Sequence, residues 1–223
     1  MERLKSPSDL EKLRKDILAR IDPKRPVIAI CVSTGCEALG AQEVLKAFKE
    51  EFKKQNLEDS IEIKETGCLG FCEKGPRVVI YPEEIYYFRV KAIDVPEIVS
   101  KTLRNKEIIE RLLYTDPITG MKARHLSEVP FYRYQKRLLL DNSAKVDPKK
   151  IEDYIALDGY KALAKVLFEM TPEQVLEEVK KANLRGRGGV AFLQPENGSP
   201  HAMRPESPNT SSSTATKAIP APS

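Results

Sequence analysis

Residues 66–76 read TGCLGFCEKGP and place Cys68 and Cys72 in a loop that holds three glycines. Upstream, residues 31–36 read CVSTGC and supply Cys31 and Cys36. These are the only four cysteines of the 223-residue chain, so the spacing is C-x4-C, 31 intervening residues, then C-x3-C. Four cysteines are too few for a disulfide-stapled fold of this length. The two short, glycine-flanked pairs indicate a site for metal or redox chemistry.

Each cysteine pair directly follows a predicted strand. The continuous apolar run at residues 27–30 is typical of a strand buried on both faces, and Ile61 and Ile63 alternate with polar residues, as in a half-buried strand. Between them, residues 40–55 carry one apolar stripe and predict a helix. A helical crossover makes the two strands parallel, so both cysteine loops are expected at the same edge of the sheet.

The rest of this region predicts a small α/β domain. Residues 77–81 and 85–90 read as two strands around a turn at residues 82–84, which predicts an antiparallel hairpin, and residues 95–103 close the domain as a helix. The result is a small mixed sheet with flanking helices. Ahead of it, residues 8–21 predict a helix with a capping box formed by Ser8 and Glu11.

Four thiolates from two loops at one sheet edge are what a [2Fe–2S] cluster requires, and Gly35, Gly67, Gly70 and Gly75 allow backbone N–H groups to turn towards the sulfurs. Three alternatives remain open at this point. One is a structural zinc site with four thiolate ligands. Another is a thioredoxin-type dithiol, although neither pair has the C-x-x-C spacing. The last is a set of unligated core cysteines.

The strings C-x4-C and TGC-x-G-x-C-x2-GP, followed by a strand and an aromatic hairpin, resemble the thioredoxin-like [2Fe–2S] ferredoxin domain. The resemblance covers about residues 25–103. It implies a thioredoxin-like fold in which Cys31, Cys36, Cys68 and Cys72 ligate the cluster. It also implies one-electron transfer as the function.

A second resemblance begins at residues 158–163 (DGYKAL) and 184–189 (LRGRGG). Together these strings resemble the opening of the flavoprotein subunit of NADH dehydrogenases and NAD-linked hydrogenases. The resemblance implies that Gly186, Arg187, Gly188 and Gly189 form a loop for the phosphate of FMN, and that the partners are other subunits of such a complex. Without this resemblance, the same glycines would indicate the C-cap of a helix followed by a flexible segment.

The sequence departs from that flavoprotein family after Phe192, where the remaining flavin and NADH domain and a four-cysteine [4Fe–4S] site would follow. We therefore expect a truncated subunit that holds the [2Fe–2S] cluster, with FMN and NAD bound only if the missing domain is supplied. Any catalytic activity would belong to the assembly and not to this chain alone.

The predicted organisation has four parts. Residues 1–24 form an N-terminal helix and residues 25–104 the cluster domain. Residues 105–192 form a linker and the start of the flavoprotein domain, and residues 193–223 form a disordered tail rich in Pro, Ser and Thr. In the third part, residues 126–140 are expected to be extended or irregular. A helix is expected over residues 158–170 with Tyr160, Leu163, Ala164 and Leu167 facing inward, and another from Thr171 to Ala182.

Composition excludes several classes of function. The 37 basic and 33 acidic residues give a net charge of +4, too balanced for a nucleic-acid footprint. Residues 131–137 interleave aromatic and basic side chains, a pattern that can stack on single-stranded nucleic acid. Because no basic groove or RNA motif accompanies it, we interpret the segment as a linker that lays aromatics on a partner surface or on the flavin domain. The chain contains no apolar run of about 18 residues and no secretory signal near its start, so we expect no membrane insertion and a cytoplasmic protein.

Overall fold

The protein is described here by a computed structural model, which covers residues 4–137 and 140–183. The glycine-rich segment at Gly186, Arg187, Gly188 and Gly189 and the tail at residues 193–223 lie outside the described residues. The predictions made for them are therefore not tested by the structure.

A four-stranded mixed sheet forms the centre of the cluster domain. Its strands are β1 (Val27–Cys31), β2 (Glu62–Thr66), β3 (Val78–Tyr81) and β4 (Ile85–Tyr87), in the spatial order β2-β1-β3-β4. Strands β1 and β2 are parallel, whereas β1 with β3 and β3 with β4 are antiparallel. The predicted crossover and hairpin are both confirmed.

Eight α-helices occur among the described residues, several of them only one turn long. They are α1 (Pro7–Arg20), α2 (Thr34–Glu37), α3 (Ala41–Gln55), α4 (Val95–Glu97), α5 (Pro130–Arg133), α6 (Ile151–Ala156), α7 (Lys161–Glu169) and α8 (Pro172–Lys181). Helix α4 continues as π-helical turns over Ile98–Arg104. A small second sheet pairs β5 (Tyr114–Thr115) with β6 (Lys122–Ala123).

Both faces of the central sheet are buried, as the continuous apolar run of β1 predicts. Strand alternation sends one set of side chains towards α3 and α4, and the other set towards residues 123–144. The first core contains Ile28, Ile30, Val78, Ile80, Phe48, Phe52 and Ile98. The second contains Ala29, Val79, Tyr86, Phe88, Ala123, Val129, Tyr132 and Ala144.

The segment after residue 104 belongs to the same compact unit as the sheet, which spans Lys12–Gly159. Three lysine–carboxylate ion pairs fasten this segment to the edge strand β2. They join Lys64 to Asp153 at 2.9 Å, Lys149 to Glu65 at 2.6 Å and Lys150 to Glu62 at 2.9 Å. Charged side chains along an edge strand disfavour its pairing with another chain.

Three local predictions need correction. Helix α1 begins at Pro7, and Ser6 and Asp9 form the reciprocal cap, because the Asp9 N–H donates to Ser6 Oγ and the Ser6 N–H donates to Asp9 Oδ2. Proline at the first helical position favours this start over the predicted Ser8 and Glu11 cap. Strand β4 ends at Tyr87 and not at residue 90, because the Phe88 N–H donates to the Leu112 carbonyl and Arg89 has a φ of 52°.

Residues 126–140 are not simply irregular, since they contain a 3-10 turn (Leu126–Glu128) and helix α5.

Helices α7 and α8 belong to a second unit, formed by Met1–Glu11 and Tyr160–Ser223. Helix α7 begins at Lys161, later than predicted, because Asp158 and Tyr160 both have a φ of 63°. The prediction that its apolar face points inward is wrong: Tyr160, Leu163 and Leu167 are exposed and Ala164 is only half-buried. Helical periodicity identifies an apolar face but does not show that another element covers it. Helix α8 starts at Pro172 as predicted, after a capping box that the structure shows between Thr171 and Gln174.

Candidate metal centre

The two cysteine loops leave the sheet at the same edge, where the parallel strands β1 and β2 end. Cys31 is the last residue of β1 and lies opposite Thr66, the last residue of β2. Helix α2 then carries Cys36, while Cys68 and Cys72 lie on the loop that follows β2. The structure therefore brings together all four cysteines that the sequence predicts as ligands.

The two loops touch through glycine. A Cβ atom on Gly35 would lie 2.9 Å from both Cβ and Sγ of Cys72, and a Cβ atom on Gly75 would lie 2.8 Å from Sγ of Cys36. These distances are shorter than real Cβ atoms adopt. The cysteine of each loop therefore occupies the space that a side chain at the glycine of the other loop would need. Any larger residue at these two positions would push the loops apart.

The sulfurs lie as two pairs. Sγ of Cys68 is 3.4 Å from Sγ of Cys72, and the Gly70 N–H donates to Cys68 Sγ at 3.1 Å. Gly70 has a φ of 90°, a conformation that favours glycine. Across the site, the Cys31 thiol interacts with the thiols of both Cys36 and Cys68. All four thiols are free of disulfide bonds.

Burial differs between the two pairs. Cys31 and Cys36 are only 1% and 3% exposed, whereas Cys68 and Cys72 are part-exposed beside the open Gly70. The hydrogen bond with the Cys36 thiol lowers the pKa of Cys31 to about 6, against the opposing effect of burial. The same hydrogen bond raises the pKa of Cys36, and the hydrogen bond with Cys68 raises the pKa of Cys72. One thiol of the inner pair is thus predisposed to become a thiolate, the form that binds metals.

This paired arrangement suits a binuclear cluster, in which each iron takes two thiolates. A structural zinc site instead gathers its ligands around one ion. Backbone N–H donation at Gly70 and burial of the inner pair also fit an anionic iron–sulfur group.

An aromatic cluster covers the second cysteine loop. Phe71 stacks on Phe131 with ring centroids 4.5 Å apart and planes 4° apart, and Tyr132, Tyr114 and Phe88 approach Phe71 at 5.8–6.2 Å. The prediction that the aromatics of residues 131–137 lie on a partner or on a flavin domain is therefore wrong for Phe131 and Tyr132. They lie on the chain's own cysteine loop. Only the position of Phe71 next to Cys72 could have suggested this from the sequence.

Comparisons with known proteins find ferredoxins similar to this chain. The family model described as thioredoxin-like [2Fe-2S] ferredoxin matches residues 18–103. A 2Fe-2S ferredoxin of Clostridium pasteurianum is 35% identical over 102 residues, which are 41% of this chain and 97% of that ferredoxin. The crystal structure of a thioredoxin-like [2Fe-2S] ferredoxin from Aquifex aeolicus, 35% identical, covers 41% of this chain and 97% of its own, with a TM-score of 0.38.

Subunits of larger enzymes also match, each over a short region. The NADP-reducing hydrogenase subunit HndC of Solidesulfovibrio fructosivorans is 53% identical over 58 residues, which are 26% of this chain but only 12% of HndC. A subunit of the NADH-quinone oxidoreductase of Rhizobium meliloti is 47% identical over 55 residues, which are 25% of this chain and 13% of that subunit. Among the described residues, no helix has the length and apolarity needed to cross a membrane.

The converging cysteine loops, the mixed sheet that presents them and the near-complete coverage of the C. pasteurianum ferredoxin lead to one conclusion. The chain belongs to the thioredoxin-like [2Fe–2S] ferredoxin family, and its cofactor is a [2Fe–2S] cluster.

Proposed function

We propose that this protein transfers single electrons through a [2Fe–2S] cluster held by Cys31, Cys36, Cys68 and Cys72. The observation that carries the proposal is the contact of the two cysteine loops through Gly35 and Gly75. That contact brings four free thiols to one sheet edge with no room for larger side chains between the loops.

The two pairs of cysteines have different roles in electron transfer. Cys31 and Cys36 lie in the buried half of the site, where low exposure excludes water from the sulfurs. Cys68 and Cys72 lie at the surface beside the exposed Gly70, so electrons enter and leave on this side. The Gly70 N–H donates to Cys68 Sγ and so stabilises negative charge on it. When bound, the cluster supplies reversible one-electron chemistry.

We further propose that the protein works as part of an NADH dehydrogenase or NAD(P)-reducing hydrogenase assembly in the cytoplasm. The local similarity to HndC and to the R. meliloti oxidoreductase supports this proposal. The matches span only 12–13% of those two proteins, so chemistry with NADH or hydrogen is proposed for the assembly alone. Residues 25–104 are the proposed cluster domain. Gly186, Arg187, Gly188 and Gly189 are the proposed contacts to an FMN phosphate in a complete flavoprotein domain.

The cluster proposal is tested by anaerobic purification of the full chain, followed by iron, zinc and sulfide analysis and EPR of the dithionite-reduced protein. We expect about two irons and about two sulfides per chain, no zinc, and an EPR signal only after reduction. Each of the four Cys→Ser variants should lose most of its iron or change its EPR spectrum. As a matched control, Ser33→Ala lies between the cysteines of the first loop and should keep the wild-type iron content. Zinc in place of iron, or four serine variants with unchanged spectra, would contradict the proposal.

A further inference from the structure

A buried arginine lies beside the cysteines and takes no part in the site described above. Arg77 directly precedes β3 and is only 4% exposed. Its carbonyl accepts a hydrogen bond from the Cys31 N–H at 3.2 Å, so the two residues are joined across adjacent strands. Arginine is among the residues least often buried, and a buried one normally has a charged partner.

The strand register places the Arg77 side chain on the same side of the sheet as Cys31. Ile30 pairs with Val78 in the antiparallel ladder, so the next step along each strand sets Cys31 opposite Arg77. Side chains alternate along strands, which puts both residues on the face opposite to Ile30 and Val78. Directly opposed residues in such a ladder have Cβ atoms about 5 Å apart. The Arg77 side chain therefore leaves the backbone directly beside Cys31.

The charge of Arg77 has no protein counter-ion in the described part of the chain. The Nε and Nη2 atoms are buried and meet no hydrogen-bond acceptor within residues 4–137 and 140–183. Its charge acts on three phenols and three thiols, and the phenol of Tyr132 also interacts with it through a side-chain hydrogen bond: Tyr81, Tyr86, Tyr132, Cys31, Cys36 and Cys72. A buried cation that has neutral neighbours but no carboxylate partner is unfavourable, so an anionic group at the cysteine site would be its natural counter-ion.

We infer that Arg77 supplies a buried positive charge that stabilises the reduced cluster and raises its reduction potential. The inference rests on the proposed function, because it requires the cluster at the four cysteines. Reduction adds one electron, from dithionite in the experiment below, and hence one negative charge, with no bond formed or broken. A fixed cation in a low-dielectric site favours the more negative state, and salt screens it little.

The test is a potentiometric titration of the full chain, followed by visible absorbance and EPR, in wild type, Arg77→Met, Arg77→Gln and Arg77→Lys. We expect the neutral variants to lower the equilibrium constant for reduction at least about tenfold, which is about 59 mV towards more negative potential for one electron. Arg77→Lys keeps the charge and should stay closer to wild type. Arg89→Met removes an exposed arginine of the same domain and should leave the potential unchanged at about 0.15 M salt.

Each outcome decides the matter. Neutral variants that hold a full cluster at the wild-type potential overturn the inference, whereas a negative shift confined to them supports it. If the neutral variants hold no iron and Arg77→Lys does, the need for charge is supported. If Arg77→Lys also holds no iron, the site requires the shape of arginine and not its charge, and the inference is overturned. A wild-type protein without iron would overturn the proposed function instead.

Discussion

At the scale of single residues, the cluster site depends on side chains that are missing. Gly35 and Gly75 have no Cβ, and that absence allows Cys72 and Cys36 to approach from the opposite loop. The neighbouring Gly67 differs, since a Cβ there would find its nearest atom, the Ser143 carbonyl oxygen, at 3.4 Å. Glycines that look alike in the sequence therefore differ in how much substitution they tolerate.

The first prediction follows from this difference. Gly35→Ala places a methyl group 2.9 Å from Cys72 Sγ. We therefore expect the loops to separate and the iron content per chain to fall to roughly half or less of the wild-type value. Gly67→Ala is the matched control and should keep the wild-type iron content. Both are measured by iron analysis and visible absorbance after anaerobic purification. Equal iron in the two variants would show that the close approach of Gly35 to Cys72 does not restrict the site.

A second residue-scale prediction concerns the core and not the cluster. The buried Tyr87 hydroxyl hydrogen-bonds to Thr102 Oγ1 at 2.8 Å and accepts the Ile109 N–H at 3.0 Å. Tyr87→Phe leaves both partners unsatisfied in the core and should lower the free energy of unfolding by about 1–3 kcal/mol. Urea denaturation followed by circular dichroism measures this loss. Tyr134→Phe, at a side chain that is 86% exposed, should have no effect.

At the scale of elements, helix α5 protects the second cysteine loop. Phe131 stacks on Phe71, the residue before Cys72, and Tyr132 fills the core below. Phe131→Ala removes the stacked ring, so we expect several-fold faster loss of cluster absorbance in air with a chelator, although the iron content at purification is unchanged. Tyr134→Ala is the control from the same segment. Equal rates of bleaching in the two variants would refute a protective role for α5.

The ion pairs on edge strand β2 lead to a pH prediction. Hydrogen bonds from Lys149 and Lys49 hold the pKa of Glu65 below its usual 4.5. A carboxyl with a lowered pKa in the folded state stabilises the protein above its unfolded-state pKa, and this stabilisation is lost as the pH falls through the lower folded-state value. Below pH 4.5, wild type should therefore lose up to about 1 kcal/mol more stability than Glu65→Gln. Urea denaturation at neutral and acidic pH gives both values, and parallel pH profiles would contradict the assignment.

At the scale of the whole molecule, the sheet is covered on its second face by residues that follow the proposed cluster domain. The compact unit is Lys12–Gly159, and residues 123–144 bury Ala29, Val79, Tyr86 and Phe88. This part of the segment interpreted as a linker from the sequence is thus part of the core.

This arrangement predicts different results for two truncations. A chain ending at Gly159 should keep the melting temperature and the cluster of the full protein. A chain ending at Arg104 exposes the second apolar face and should melt several degrees lower or self-associate through it. Thermal denaturation and size-exclusion chromatography distinguish these results. Equal melting temperatures and monomeric behaviour for both truncations would show that residues 105–159 do not stabilise the sheet.

Sequence alone determined the elements of the cluster domain and the identity of its four cysteines. Apolar periodicity is a local property, and the cysteine spacing together with a parallel crossover fixes where both loops leave the sheet. Only the tertiary structure decided that Arg77 is buried beside Cys31, that Phe131 covers Phe71, and that the apolar face of α7 stays exposed. These features depend on contacts between residues far apart in the chain, and no periodicity within a single segment records which surfaces meet.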